Sequence, residues 1–273
     1  MKQAEASPWE KLCVDMIGPY TIKQGKEKDS NVLTLNCVTM IDPATGWFEM
    51  VPTKKKDTGT IANIVEQTWF TRYPLPQELI YDRGTEFLGE FARMVEEDYG
   101  IKKRPTTTRN PQANAILERA HQTLGNMLRT FEIHKDEEIN DENINGVLSA
   151  ILFAMRATVH TTTHATPMQL VFGRDAIMNI QFRADWKYIK ERKQKIIEKN
   201  NRRENQQRIP HTYKVGDKVL INMTPTSLSK YGISPFAGPF EVKHVNDNGT
   251  VVLQMGSVLD TWNIRNIKPY NEN

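Results

Sequence analysis

Apolar and polar positions first organise the chain into three strand-like runs. WEKLCVDMI at 9 to 17 is stopped by Gly18-Pro19, NVLTLNCVTMID at 31 to 42 is rich in β-branched residues, and WFEMVP at 47 to 52 follows a DPATG turn. Three strands with short connections predict an antiparallel meander. Asp57 or Thr58 can cap a helix through about Arg72. ELIYD at 78 to 82 then reads as a short strand ending on an acid, and the next helix, about 88 to 99, closes at Gly100. Lys102 to Pro105 is expected to be another strand. From Leu117 onward Ala120, Leu124, Met127, Leu128 and Phe131 recur at spacings of three, four and seven, so one stripe of a helix faces a core, with Glu118 beside it. Asn114 and Gln122 stand one turn to either side of Glu118. A second long apolar helix is predicted at about 142 to 158. Strands followed by alternating helices and strands define a mixed α/β layer domain.

The pattern changes after residue 182. Between 183 and 218 twelve Lys or Arg face five Asp or Glu, and residues 186 to 208 contain no Gly or Pro, which predicts an extended, highly charged helix. That helix reads either as a solvated connector or as a phosphate-contacting arm. Beyond Pro210, YKVGDKVLIN, FAGPFEVKHV, TVVLQM and WNIRNIKPY are short β-like pieces punctuated by Gly and Pro, as expected for a small barrel of about 60 residues. The boundaries implied are 1–182, 183–210 and 211–273.

Composition narrows the class. With 273 residues and 38% hydrophobic content the chain can bury real cores. Its formal charge of +3 balances 36 basic against 33 acidic residues, so placement matters more than the sum. Two cysteines, Cys13 and Cys37, are too few for a disulfide framework or a four-ligand zinc site, which fits a reducing setting. No run approaches the roughly 18 apolar residues of a membrane span, and the first residues lack a secretory hydrophobic segment. Neither membrane function nor secretion is expected. His160 and His164 in HTTTH have a helical ligand spacing without further partners nearby.

Three acids remain as candidate chemistry. Asp15 lies within the first strand, Asp82 ends a strand where the chain leaves the sheet, and 35 residues separate Asp82 from Glu118. Taken singly these are an edge-strand position, a turn residue and a solvated helix carboxylate. Together they have the makings of a divalent-cation site, since clustered carboxylates repel by several kcal/mol per pair at about 4 Å unless a cation lies between them. Oxygen-only ligation favours Mg²⁺ or Mn²⁺ over zinc.

VDMIGP around Asp15, IYDRGTEF around Asp82 and TTTRNPQANAILER around Glu118 resemble the retroviral and retrotransposon integrases, whose ribonuclease-H-like core carries a D,D(35)E motif. THATPMQLVFGRD and the tract WNIRNIKPY after GPFEV and GTVVL are similar to later segments of gypsy-type long-terminal-repeat elements. The resemblance implies a ribonuclease-H-like mixed sheet with flanking helices (1–182), a basic helical linker (183–210) and a small all-β Src-homology-like barrel (211–273). It implies a polynucleotidyl transferase that trims the 3′ ends of element DNA and joins them to target DNA. Asp15, Asp82 and Glu118 would be both catalytic residues and ligands of two Mg²⁺ or Mn²⁺ ions, with Asp15 shared between them. It further implies DNA contacts from Asn110, Gln112, Asn114, Arg119, Gln122, Lys193, Arg202 and Arg203, double-stranded DNA as partner, a homo-oligomer, a chromatin encounter, nuclear action and assembly in cytoplasmic virus-like particles. Ala115 departs from a common glycine and Gln122 from a lysine of several relatives. The His-His-Cys-Cys zinc module that precedes the core in this family is not expected in this stretch, so no zinc is either. Two other readings stay open: a domesticated remnant that binds DNA or chromatin without catalysis, and a nuclease acting on RNA in hybrids.

Overall fold

The computed structural model describes residues 7–23, 32–82, 84–105, 115–130, 141–206, 211–222, 236–246 and 249–270. The chain divides into two compact units, Met1–Asn200 and Asn201–Asn273. The predicted meander is present as β1 (Lys11–Lys23), β2 (Val32–Ile41) and β3 (Phe48–Thr53), paired antiparallel. After it come α1 (Thr58–Val65), β4 (Glu78–Tyr81), α2 (Glu90–Arg93) and β5 (Lys102–Pro105), with β4 and β5 joining the sheet in parallel. The order β3-β2-β1-β4-β5 puts β1 at the centre. Then follow α3 (Ala115–Thr130), α4 (Asp141–Ala157), α5 (Pro167–Phe172) and the long α6 (Trp186–Gln206).

Two expectations are corrected. Gly18-Pro19 does not stop the first strand: β1 runs on to Lys23 through a register shift between Ile17 and Tyr20. A proline has no N–H to give a ladder, and an irregularity is where a sheet tolerates one. The helices expected over 57–72 and 88–99 are α-helical only at first, α1 and α2 each loosening into a π-type turn, Glu66–Phe70 and Met94–Asp98. Asp57 does cap α1, its carboxylate accepting the Thr60 N–H at 2.9 Å, and Gly100 closes the second helix with φ +64°.

Period-two alternation splits the strands between two cores. Leu12, Val14, Val38, Met40, Leu79 and Tyr81 point to one face and pack on Ile61 and Val65 of α1, Trp69, and Phe91 of α2. Cys13, Ile17, Leu35, Cys37 and Ile41 point to the other, against Leu117, Ala120 and Leu124 of α3 and Ile144, Leu148 and Ile151 of α4. Each buried Leu, Ile or Phe contributes about 1.5–3 kcal/mol. A third cluster, Ala165, Leu170 and Ile189, fastens the start of α6 near α5. Among the described residues no helix is long and apolar enough to cross a membrane.

The second unit holds β6 (Lys218–Asn222), β7 (Phe236–Asn246), β8 (Thr250–Met255), β9 (Val258–Asn263) and β10 (Ile267–Pro269) in an all-antiparallel sheet ordered β10-β6-β7-β8-β9. Val219, Ile221, Val242, Val251, Leu253 and Ile267 are its core.

Candidate active site

Strand register brings the first two acids together. β1 and β4 pair in parallel as Lys11 with Glu78, Leu12 with Leu79 and Cys13 with Ile80. Continued by two residues, the register sets Asp15 level with Asp82, just past the carboxyl end of β4. Side chains alternate along a strand, so Asp15 shares the face of Cys13 and Ile17, the side covered by α3. Asp82 has the parity of Ile80, which packs toward the same core. Its Oδ1 accepts the Gly84 N–H at 2.9 Å, turning the chain out of the sheet. Phe87, tilted against Tyr81 and edge-on to Phe91, anchors the next turn, which carries Glu86.

Glu118 comes from α3. Leu117, Ala120 and Leu124 bury that helix on the Asp15 face, while Glu118 itself is exposed. It nevertheless acts on the strand. Burial is the largest influence on Asp15 and raises its carboxyl; a Met16 N–H at 2.8 Å opposes, the negative charges of Asp82, Glu86 and Glu118 add to the rise, and the net result is about 7. Four carboxylates thus share one electrostatic neighbourhood. They do not converge on a point: among the described residues no three His, Cys, Asp or Glu side chains form a group that could hold a metal ion. Like charges without a cation repel, and an exposed Glu side chain has room to turn away.

Sequence reasoning passed over three of the neighbours. Glu86 stands next in influence after Asp82 on Asp15. Thr39, fully buried on β2 and opposite Asp15 in register, donates its hydroxyl to the Asp15 carbonyl at 3.0 Å. His121 lies one turn beyond Glu118, with Nε2 2.8 Å from Thr39 Oγ1 and Nδ1 4.0 Å from Asp15 Oδ2. Burial lowers its pKa to about 4, so the imidazole is neutral near pH 7. Its i, i+3 spacing from Glu118 was the available signal.

The remaining expected contacts divide. Arg119 and Gln122 are exposed on α3. Asn110, Gln112 and Asn114 lie outside the described residues. Lys193 is turned inward, its ammonium donating to the carbonyls of Pro43 and Ala44 at 3.0 and 2.8 Å. Arg202 and Arg203, further along α6, are exposed.

Oxygen-only donors on central strand β1, just past β4 and on α3, with a carboxyl whose ionisation the others oppose, fit a hard divalent cation in chemical kind. No protein-family model matches the chain. Its relatives are Pol polyproteins of retroelements, and over 98% of its length it shares the fold, at TM-score 0.59 and 12% identity, of 81% of a chain in the simian T-cell lymphotropic virus intasome in complex with PP2A regulatory subunit B56 gamma. The sequence likeness is thus to Pol polyproteins of retroelements, and the fold is that of a chain of a viral intasome. More particularly, 90% of the chain aligns at 24% identity with 20% of the retrovirus-related Pol polyprotein from transposon 412 of Drosophila melanogaster. Half of it aligns at 27% identity with 8% of the Gag-Pol polyprotein of Walleye dermal sarcoma virus. The chain therefore spans a fifth or less of the length of these curated relatives.

Proposed function

We propose that this chain carries the catalytic and C-terminal parts of a retroelement integrase, a polynucleotidyl transferase acting on double-stranded DNA. The observation that carries the reading is the register that levels Asp15 with Asp82 on the face covered by α3, with Glu118 near enough to oppose ionisation of Asp15. Asp15, Asp82 and Glu118 are the residues that would hold Mg²⁺ or Mn²⁺. When bound, two such ions supply charge stabilisation at the attacking and leaving oxygens.

The residues themselves position. In end processing a water oxygen attacks a phosphodiester of element DNA, the P–O bond to the 3′ oxygen breaks, and that oxygen leaves as a hydroxyl. In strand transfer the freed 3′ hydroxyl attacks a target phosphodiester and the target's own 3′ oxygen departs. In this reading the three carboxylates, carried by two strands and a helix, serve to position, so rate comes from orientation and electrostatics. Arg119 and Gln122, exposed on α3, and Arg202 and Arg203, exposed on α6, are the phosphate contacts of this reading. Asn110, Gln112 and Asn114 belong to the same reading, as do action as an oligomer, chromatin as the setting of target DNA, nuclear localisation and assembly in cytoplasmic particles. The divisions 1–182, 183–210 and 211–273 remain its functional parts, although α6 is packed on the first unit at Ile189.

A second reading, DNA binding without catalysis, has its support in the cations Arg119 on α3 and Arg202 and Arg203 on α6, all exposed. Strand transfer of pre-trimed ends decides between them, measured with and without a supplied His-His-Cys-Cys module. Asp82→Asn should leave the fold intact, judged by circular dichroism, and lower transfer at least about 100-fold. Residual transfer above about a tenth of wild type would remove Asp82 from the catalytic set.

A further inference from the structure

α3 has to deliver Glu118 to a strand from which it is far removed in sequence, and one polar connection lies beside that delivery point. The Thr39 hydroxyl has a single proton and places it on the Asp15 carbonyl at 3.0 Å. The 2.8 Å contact between the same oxygen and His121 Nε2 must then run the other way, with the imidazole donating. The ring is accordingly the Nε2–H tautomer. The result is a two-bond relay from α3, through a fully buried hydroxyl on β2, to the backbone of Asp15 on β1.

We propose that His121 is a positioning residue which, acting through Thr39, locks the rotation and height of α3 so that Glu118 meets Asp15. This rests on the catalytic reading above. Leu117, Ala120 and Leu124 hold the helix to the sheet, but apolar contacts slide at little cost, whereas a hydrogen bond has a narrow range of distance and angle. Glu118 precedes His121 by three residues, about 4.5 Å along the axis and on nearly the same face, so a latch at His121 also fixes the root of Glu118. Partners one shell behind metal ligands usually matter by about 10- to 100-fold in metal affinity.

The whole chain, labelled with ¹⁵N, provides the test. Imidazole nitrogen shifts should show His121 as one Nε2–H tautomer, and Thr39→Val, nearly isosteric but without the hydroxyl, should release it to a mixture. Hydrogen exchange over Ala115–Thr130 should quicken in Thr39→Val and in His121→Leu while the melting transition remains cooperative. Mn²⁺ affinity, followed by calorimetry without DNA, should fall about tenfold in each, by no more in the double variant, and recover in His121→Gln, which keeps a donor at the Nε2 position. A mixed tautomer in the wild type, additive losses, or Thr39→Val binding Mn²⁺ within about twofold of wild type would overturn the latch. If wild type binds no Mn²⁺ at all, the catalytic reading falls, and the latch stands or falls on the tautomer and exchange results alone.

Discussion

At Asp15 several opposing influences meet. Burial lifts the carboxyl, the Met16 N–H holds it down, and Asp82, Glu86 and Glu118 lift it again, to about 7 against an ordinary 3.8. A raised folded-state value means that its contribution to stability is fully present below pH 3.8 and is lost as pH rises through about 7. His121 runs in the opposite sense. Burial lowers it from 6.5 to about 4, so its contribution is present above pH 6.5 and is lost as pH falls through about 4. Replacing Asp15 removes the first trend and leaves the second. Without metal at pH 8, Asp15→Asn should be more stable than wild type by about 1–3 kcal/mol, with the gap closing toward pH 4, as read from urea midpoints. Saturating Mn²⁺ should reverse the order at pH 8, because only the ionised carboxylate gains from the ion. A variant less stable than wild type at pH 8 without metal would show that burial does not penalise this carboxylate.

At the level of elements, the departure at Gly18 is instructive. Its φ of +108° is one that L side chains avoid, and a Cβ there would lie 2.5 Å from the Leu35 carbonyl oxygen. Gly18→Ala should therefore cost at least about 1–3 kcal/mol in denaturant unfolding with the slope unchanged. A loss below about 0.5 kcal/mol would mean that β1 relaxes at its bulge. The same site shows why part of the fold was legible in the sequence and part was not. The meander, the Asp57 cap, the stripe on α3 and the helix ahead of Gln206 are local patterns, set by periodicity and propensity within a dozen residues. The passage of β1 through Gly18-Pro19 depends on what β2 offers across the sheet, and no window around residue 18 contains that information. Asp15, Asp82 and Glu118 were found by spacing and resemblance, whereas Thr39 and His121, 82 residues apart, became partners only once strand register and helix packing were known. Lys193 likewise reads as one more charge in a basic run until folding brings the Pro43 and Ala44 carbonyls to it.

Over the whole molecule the weak net charge of +3 conceals a concentration of cations on α6. Binding to duplex DNA should weaken steeply with added salt, and removing two phosphate contacts by Arg202→Ala with Arg203→Ala should reduce the slope of log affinity against log salt by about 2. Fluorescence anisotropy across a salt series reads this directly, and an unchanged slope would make α6 a connector only. Lys193→Ala is expected to act on thermal stability instead, since its cation already serves the core. The levelling of Asp15 with Asp82 carries a different kind of consequence. One residue gained or lost between Cys13 and Asp15 would rotate the acid to the opposite layer of the sheet, and two would return it to the proper layer about 6.6 Å out of step. The length of Leu12–Asp15 and of Leu79–Asp82 is therefore a tighter physical constraint on this meeting of acids than the identity of the residues between them.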